Sequence, residues 1–520
     1  MVAPAMPPLM RKLIPSILVI AAAVYAGSTA GHDGSTASAA GKIPTKPPVV
    51  LLIMDEFPID QMLGPNGRID AVRYPNFAAL AATGTWFKNA TTTYDSTTRA
   101  MPEVLDAKLP RKKSVPNYLG HPQSVFTIFG RRGYRVVSSE EATSVCPPRY
   151  CPGATPARPA ILPELQKGRR ERVERFFAQI KPTSQPTLFV KHMLLPHGPY
   201  LFLPSGKQTR LSFRDPLPGM NGPVGFGDRG LTEHNQQRLQ LQIGFADHEL
   251  GRLFSRMKAN GTFNNSLIAV TADHGIAFEL NVKDRRQVSP SNIDEIAPVP
   301  LFIKAPGQTK GSTSSTYART IDIVPTIADI LGFRMPYKAD GASAFSRQVR
   351  GRRFVRMLKR PLNGTITVSA ADMEKRRRAL VRRKIALFGS GDIATLYTGI
   401  GPNRKLLGRT AADLRPAGRG ALSTTINGTS NIRAVNPKSV VLPTQIAGRI
   451  GGGKAGAKRD LAVAVNGRIE AVGRSFFLRG DKHESYALMV PEASMHAGRN
   501  SVQLFEVTSK GTKLRLVGSA

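Results

Sequence analysis

The chain has 520 residues, which is too long for one ordinary domain and predicts two folded units, the first of them large. Its hydrophobic content of 41% is enough for a buried core. The 73 Lys and Arg against 36 Asp and Glu give a formal charge of +37, which indicates anionic partners such as phosphate or sulfate esters, acidic lipids, anionic polymers or nucleic acid. A generally basic surface without a specific partner is the alternative interpretation of that charge.

Residues 1–42 have the layout of an export signal. Arg11 and Lys12 precede the apolar stretch 13–24, and small residues at 28–30 and 37–39 offer cleavage sites. Because a membrane span needs about 20 apolar residues, the stretch favours a cleaved signal peptide over a retained signal anchor. We therefore expect an exported protein, extracellular or in the cell envelope, with attachment to the membrane through this segment as the alternative.

The two cysteines, Cys146 and Cys151, are the only ones in the chain. In the oxidising compartment that an exported protein reaches, we expect them to form a disulfide that closes a small loop, with a metal pair or two free thiols as the alternatives. Because no other cysteine is present, a cysteine nucleophile and a zinc knuckle are both excluded.

The region 43–345 alternates short apolar runs with longer helical patterns. This alternation is typical of βα units, so we predict an α/β fold with a mostly parallel sheet flanked by helices. The predicted strands are 48–54, 124–128, 134–138, 186–193, 266–272 and 299–304. The predicted helices are 74–83, 164–180, 233–259 and 321–331. The segment 202–230, rich in Gly and Pro, is predicted to be a surface loop near the site or simply a long connection.

Two further regions follow the α/β region. Residues 346–385 contain clusters of Lys and Arg and predict an exposed, partly helical basic connector. Residues 386–520 carry short alternating strands, with a turn predicted at Asn466-Gly467. This spacing indicates a smaller accessory domain that resembles a β-sandwich.

Two predicted strands end in residues that can hold a metal ion. Asp55 and Glu56 follow the first strand, and Asp273-His274-Gly275 follows the strand 266–272. The hydroxyl cluster Ser96-Thr97-Thr98 lies about forty residues after the first pair. Carboxylates and an imidazole at the carboxyl edge of a sheet, with a hydroxyl nearby, predict a metal site that contains a nucleophile.

Four sequence blocks in the order 49–56, 74–90, 271–275 and 299–307 resemble the sulfatase-like branch of the alkaline phosphatase superfamily. Residues 319–331 resemble the helix that closes that domain. The resemblance implies an alkaline-phosphatase-like fold and a metal-dependent hydrolase or transferase.

The resemblance also locates a nucleophile. Sulfatases use a cysteine matured to formylglycine, whereas the matching stretch here is Asp95-Ser-Thr-Thr-Arg-Ala-Met-Pro102. Alignment on the following Val104-Leu105 puts Thr97 at the nucleophile position, in a loop resembling those of phosphoethanolamine transferases and lipoteichoic acid synthases. Ser96 and Thr98 remain alternatives, as does a purely structural role for the cluster at the start of a helix.

The histidines limit the number of metal ions. Two-metal members of the superfamily need a further histidine late in the catalytic domain, but after His274 the next ones are His483 and His496, in the β-rich tail. We therefore expect one divalent ion held by a set of four ligands, with Glu56 as a further candidate: Asp55, Thr97, Asp273 and His274. These ligands suit manganese, zinc, magnesium or calcium.

His192 and His197 resemble the substrate-binding histidine pair of the phosphoethanolamine transferases. Their implied role is to bind the ester oxygens and protonate the leaving group, with a buried structural role as the alternative. Arg285 and Arg286 are candidate clamps for a phosphate or sulfate group, or else ordinary loop charges.

We therefore expect an exported, metal-dependent hydrolase or transferase that acts on phosphate esters of envelope lipids or glycans. The alternatives are sulfate-ester hydrolysis without formylglycine and a catalytically silent protein that binds an anionic envelope polymer or a membrane surface. Nucleic-acid binding is not expected, because the basic residues form no motif interleaved with aromatic residues.

Overall fold

The structure is a computed structural model that describes residues 46–520 except 157–164, 210–226, 283, 399, 455, 479–480 and 509–512. The predicted export segment 1–42 therefore lies outside the described residues, as does most of the predicted loop 202–230. The described residues belong to one compact unit. Within the described ranges, no helix combines the length and apolarity needed to cross a membrane.

A seven-stranded sheet forms the centre of the α/β region, in the order β3-β4-β1-β6-β7-β2-β8. Of these strands only β7 runs antiparallel to its neighbours. A short strand, β5, lies outside this sheet and pairs with a strand near residue 441. The strands are β1 (Val49–Asp55), β2 (Thr85–Phe87), β3 (Arg135–Ser139), β4 (Thr187–Pro196), β5 (Gln208–Thr209), β6 (Leu267–Ala272), β7 (Leu301–Lys304) and β8 (Ser312–Ser314).

The helices of this region cover both faces of the sheet. They are α1 (Pro75–Thr83), α2 (Thr97–Asp106), α3 (Val125–Gly130), α4 (Arg169–Ala178), α5 (Arg229–Ala259), α6 (Thr262–Asn265), α7 (Ile293–Ile296) and α8 (Ile323–Ile330). Alternate residues of β1 enter two different cores: Val50, Leu52 and Met54 pack in one, and Val49, Leu51 and Ile53 in the other. Burial on both faces explains why this strand is apolar throughout its length.

The segment after residue 345 is only partly exposed. It forms α9 (Arg347–Arg350), the hairpin of β9 (Phe354–Leu358) and β10 (Thr365–Ser369), and α10 (Ala370–Phe388). Arg377 and Lys384 on α10 are buried, and the Lys384 ammonium donates to the backbone oxygen of Asp60 at 3.1 Å. The basic clusters therefore divide into cations that fix α10 against the α/β region and cations that face solvent.

The carboxyl-terminal region contains two four-stranded antiparallel sheets, β11-β13-β17-β16 and β15-β14-β18-β19. Their strands are β11 (Ser423–Ile426), β12 (Val441–Leu442), β13 (Gln445–Gly451), β14 (Asp460–Val465), β15 (Arg468–Arg474), β16 (Phe476–Phe477), β17 (Glu484–Met489), β18 (Val502–Thr508) and β19 (Lys513–Ser519), with short helices α11 (Ala394–Thr398) and α12 (Thr429–Ile432). The predicted turn joins β14 to β15, with positive φ at Asn466 (49°) and Gly467 (82°). The predicted fold class, a mostly parallel α/β sheet followed by a smaller region of antiparallel sheets, is confirmed.

One predicted strand is wrong. The run 124–128 is not a strand but the start of α3, where Ser124 caps the helix and the Thr127 hydroxyl accepts from the Ser124 backbone N–H at 2.9 Å. A short apolar run fits a buried strand or a buried helix equally well, and here the Ser-x-x-Thr capping pair decides for the helix.

Candidate active site

The carboxyl ends of three adjacent strands, β4, β1 and β6, meet at one edge of the large sheet. Asp55 ends β1, Asp273 and His274 follow β6, and His192 and His197 lie on or just after β4. Residues far apart in the sequence are thereby brought to one place, as expected at the carboxyl edge of a parallel sheet.

The side chains of Asp55, Asp273 and His274 form a cluster in which one ligand atom from each lies within 4.8 Å of the others. The Asp273 Oδ1 atom accepts from the backbone N–H groups of Glu56 at 3.2 Å and His274 at 2.7 Å. The buried Oδ2 atom has no hydrogen-bond partner in the described part of the chain. An unpaired buried carboxylate oxygen next to two further hard or borderline donors fits a divalent cation.

The geometry around His274 depends on the following glycine. The His274 Nδ1–H group donates a hydrogen bond to the Gly275 carbonyl oxygen at 2.8 Å. This hydrogen bond leaves the Nε2 atom of His274 facing the carboxylates. A Cβ atom at Gly275 would lie 2.4 Å from the backbone oxygen of Glu295. The Asp-His-Gly sequence therefore supplies two candidate ligands and the close backbone approach that their geometry requires.

Charge at this cluster is balanced unevenly between the two carboxyl groups. Burial opposes the ionisation of Asp55, but His197, His192 and His274 outweigh it and lower the pKa of that carboxyl. Burial together with the charge of Asp55 raises the pKa of Asp273 well above its usual value, and burial lowers the pKa of His274. A bound divalent cation favours the ionised carboxylate and the neutral imidazole, so it would relieve this imbalance.

Thr97 is the hydroxyl that reaches the cluster. It is the first residue of α2, and its Oγ1 atom lies 3.4 Å from Asp55 Oδ1 and 3.3 Å from His274 Nε2. Among the described residues, no side-chain hydrogen bond links Ser96 or Thr98 to this cluster, and Thr98 is exposed to solvent. Of the three candidate hydroxyls, Thr97 therefore has the placement that a nucleophile needs.

The two predicted histidines lie on the opposite side of Asp55. His192 Nε2 is 3.5 Å from Asp55 Oδ2, and His197 Nε2 is 3.5 Å from Glu56 Oε1. His192 is fully buried, and neither of its ring nitrogens has a hydrogen-bond partner within the part of the chain that the structure describes. A buried imidazole without a partner is costly unless a ligand or water completes its hydrogen bonds.

Two buried side chains hold the loop that carries His197. Gln242 on α5 donates from its amide to the carbonyl oxygens of Pro196 at 2.9 Å and His197 at 2.8 Å. Arg169, at the start of α4, donates to the carbonyl oxygens of His197 at 2.6 Å and Pro199 at 2.7 Å. The loop is thus fixed by side chains rather than by a sheet ladder.

Glu56 and Arg285 pair with each other. The Arg285 Nη2 atom lies 2.7 Å from Glu56 Oε1 and 3.0 Å from Oε2, and both side chains are buried. Glu56 has positive φ (58°), a strained conformation for a non-glycine residue that is typical of functional sites. Burial opposes ionisation of Glu56, but Arg285 and then His197 outweigh it and lower the pKa of the carboxyl.

The pairing of Glu56 with Arg285 affects the predicted roles of Glu56 as a metal ligand and of Arg285 as a substrate clamp. Asp55, Glu56 and His197 form a second cluster that could hold a metal ion, but the guanidinium of Arg285 already neutralises Glu56 there. Arg286 is the more accessible of the two arginines, with 29% of its side chain exposed, and its Nε atom lies 3.6 Å from Glu56 Oε1. The roles of Glu56 as ligand and of Arg285 as substrate clamp stay predictions, and Arg286 has the better position to meet an anion.

Sequence reasoning missed several supporting residues. Arg360, in the turn between β9 and β10, donates to Asp95 Oδ1 at 2.7 Å and to Asp284 Oδ2 at 2.7 Å, so it ties the loop before Thr97 to the loop that carries Arg286. No sequence signal marks Arg360 among its many basic neighbours. Gln242 could have been noticed, because it belongs to a run of polar residues within the long predicted helix, and the structure buries that run.

The predicted disulfide between Cys146 and Cys151 is confirmed. His483 and His496 belong to the carboxyl-terminal region, where they contact Asp481 and Asn500 rather than the cluster of Asp55.

Comparisons with known proteins identify a family for the α/β region. The sequence model of the family described as "Sulfatase" matches residues 47–333. N-acetylglucosamine-6-sulfatase from Capra hircus is 27% identical over 30% of this chain and 30% of its own length. Lipoteichoic acid synthase 2 from Bacillus subtilis is 29% identical over 25% of this chain and 20% of its own length, so the chain spans less than a third of either relative. Phosphonate monoester hydrolase of Agrobacterium radiobacter shares 16% identity and a TM-score of 0.45, over 64% of this chain and 83% of that one.

Proposed function

The chain belongs to the sulfatase family, whose match covers more than half of its length, and from that premise we propose that it is an exported, metal-dependent enzyme that cleaves or transfers phosphate esters. Envelope lipids or glycans are the proposed substrates, and Thr97 is the proposed nucleophile. The observation that carries the proposal is the placement of the Thr97 hydroxyl 3.4 Å from Asp55 and 3.3 Å from His274.

The donor set supports one divalent cation, held by Asp55, Thr97, Asp273 and His274. Such a cation would lower the pKa of the Thr97 hydroxyl and neutralise charge on the phosphoryl oxygens. Arg285 supports a single ion, because it places a permanent positive charge beside Glu56, where a second ion would otherwise be needed.

The chemistry at phosphorus follows from the placement of the side chains. The Thr97 hydroxyl releases its proton to solvent, and its oxygen forms a bond to phosphorus while the bond from phosphorus to the leaving oxygen breaks. His192 or His197 donates a proton to that leaving oxygen, and Arg286 binds a phosphoryl oxygen. Water or an acceptor hydroxyl then attacks the phosphothreonine and restores Thr97, so the same site serves a hydrolase or a transferase.

Sulfate-ester hydrolysis is the second candidate, favoured by the matched relatives that are named sulfatases. The cysteine chemistry of formylglycine is absent, because both cysteines of the chain are joined in a disulfide far from Thr97 in sequence. A formylglycine hydrate releases sulfate by elimination, whereas a sulfated threonine has no such route. This difference favours phosphorus over sulfur.

Capture of the covalent intermediate tests the proposal. The protein is mixed with a phosphodiester and Mn²⁺, quenched in acid and digested, and the peptide spanning residues 95–102 is analysed by mass spectrometry. We expect Thr97 to carry the phosphoryl group together with the alcohol that the phosphodiester retains, and this adduct should be lost in Thr97→Ala and kept in the matched variant Thr98→Ala. The same adduct on Ser96 or Thr98, or full turnover by Thr97→Ala, would contradict the assignment of Thr97 as the nucleophile. A protein that turns over neither phosphate nor sulfate esters would favour a catalytically silent binding protein.

A further inference from the structure

A second chain of hydrogen bonds, outside the site of Thr97, joins a serine, a histidine and an aspartate. Ser114 Oγ lies 2.6 Å from His121 Nε2, and His121 Nδ1 lies 2.6 Å from Asp106 Oδ2. With its proton on Nδ1, the imidazole donates to the Asp106 carboxylate and accepts the hydrogen bond of the Ser114 hydroxyl. This connectivity, from hydroxyl to Nε2 and from Nδ1 to carboxylate, is the one that activates a serine nucleophile.

The three side chains differ in exposure in the way that such a nucleophile needs. The side chains of Asp106 and His121 are only 5% and 10% exposed, whereas Ser114 is partly exposed. Asp106 is the last residue of α2, the ten-residue helix that begins at Thr97, so the two ends lie about 14 Å apart at 1.5 Å per residue. The serine is therefore open to solvent at a place separate from the site of Thr97.

The backbone that carries the base and the carboxylate is fixed by other contacts. The Tyr337 hydroxyl donates to the Asp106 carbonyl oxygen at 2.8 Å, and the Lys108 backbone N–H donates to Asp106 Oδ1 at 2.9 Å. The His121 backbone N–H donates to the carbonyl oxygen of Asn117, which is buried, at 3.1 Å. Fixed partners of this kind orient a catalytic imidazole before a substrate binds.

The residue after Ser114 offers a donor for a developing oxyanion. The Val115 backbone N–H donates no hydrogen bond to any other described residue. A Cβ atom at Gly120 would lie 2.8 Å from this nitrogen and 2.3 Å from the Val115 carbonyl oxygen, so a side chain there would crowd the N–H group. Val115 and Leu119 are 46% and 65% exposed, which gives the same loop an apolar surface. A backbone N–H directly after the nucleophile commonly stabilises the oxyanion in serine hydrolases.

We propose that Ser114, His121 and Asp106 form a second catalytic site, which hydrolyses carboxylic esters whose acyl group is apolar. The Ser114 oxygen forms a bond to the carbonyl carbon while its proton moves to His121 Nε2. The bond from that carbon to the leaving oxygen breaks, and His121 gives the proton to the leaving oxygen. Water then attacks the acyl-serine and gives a proton to His121, which passes it to the Ser114 oxygen as the carboxylic acid leaves. Asp106 holds the imidazole and stabilises its transient positive charge.

Labelling with a fluorophosphonate tests the nucleophile in the full chain. In the Thr97→Ala background, the Ser114 oxygen should displace fluoride from phosphorus, and mass spectrometry of the digested protein should find the adduct on Ser114. His121→Gln should lower the labelling rate about 100-fold, because the general base is lost. Ser144 is the matched control, since it is also partly exposed but donates to the Thr155 carbonyl oxygen at 2.7 Å. An unlabelled Ser114, equal labelling of both serines, or an unchanged rate in His121→Gln would overturn the proposal.

Hydrolysis of p-nitrophenyl butyrate tests the activity in the same Thr97→Ala background. We expect hydrolysis above the buffer rate, lost on adding Ser114→Ala and kept on adding Ser144→Ala. Each of these changes removes one side-chain hydrogen bond, so the two variants should unfold at similar temperatures, and a loss of activity in only one of them is not a loss of fold. Hydrolysis no faster than in buffer, or equal rates in the two variants, would overturn the proposal.

Discussion

Arg285 places its guanidinium between Glu56 and His197, with Nη2 2.7 Å from Glu56 Oε1 and 3.5 Å from His197 Nε2. Glu56 and His197, with Asp55, also form a cluster that could hold a metal ion. The side chain of Arg285 thus supplies a fixed positive charge at the place where a second cation would otherwise balance the carboxylates. This arrangement gives a structural reason to expect one ion per chain.

Replacement of Arg285 should therefore convert the protein into one that takes up a second ion. In Arg285→Met the buried Glu56 loses its partner, so the free energy of unfolding should fall by about 3–5 kcal/mol in the absence of divalent ions. Elemental analysis with excess Mn²⁺ or Zn²⁺ should give two ions per chain in the variant and one in the wild type, with a larger thermal stabilisation of the variant by metal.

The neighbouring arginine is the matched control for this change. Arg286→Met removes the same charge from a partly exposed position and should alter neither the ion count nor the stability appreciably. If Arg285→Met binds a single ion and metal adds no further stabilisation, the Arg285 side chain does not take the place of a second cation.

The main ion should depend on Asp273 and His274. Asp273→Asn or His274→Ala removes one ligand from a set of four, so we expect loss of the ion on dialysis and loss of activity. Thr97→Ala should keep nearly full metal content while losing turnover, because the other three ligands remain. Metal content equal to wild type in both Asp273→Asn and His274→Ala would show that the cluster around Asp273 is not the metal site.

The positioning of His197 should be sensitive to Gln242. Gln242→Ala removes the two hydrogen bonds to the carbonyl oxygens of Pro196 and His197, so we expect kcat to fall about 10- to 100-fold, with an altered pH profile and unchanged metal content. Gln237 lies on the same helix and donates instead to Leu396 and Tyr397. Gln237→Ala should lower stability but leave kcat unchanged. Equal losses of kcat in the two variants would show that Gln242 has a structural role only.

The parts of the site that directly follow strands could be predicted from the sequence. β1 and β6 are apolar on both faces, Asp55 ends β1 and Asp273 follows β6, so the edge of a parallel sheet could be predicted together with the candidate ligands there. The Asn466-Gly467 turn was equally predictable, because positive φ at both positions requires such residues.

The contacts between distant segments could not be predicted in this way. The residues next to Arg285 in the sequence do not predict its ion pair with Glu56. Arg360 is one of many basic residues in its segment, so its contact with Asp95 could not be predicted either. Periodicity reports which face of an element is buried but not which partner a polar side chain finds there, and α3 shows that even the type of a short apolar element is decided by a capping pair. Such contacts depend on the tertiary arrangement, which one sequence does not reveal.

A comparison of two esters with the same leaving group tests whether the site acts at phosphorus through Thr97. The values of kcat/KM for a phosphodiester and for the matched aryl sulfate are measured at equal metal occupancy in the wild type and in Thr97→Ala. We expect the phosphodiester to turn over faster and Thr97→Ala to lose that turnover. A wide preference for the sulfate ester, or phosphodiester turnover that survives in Thr97→Ala, would contradict this expectation.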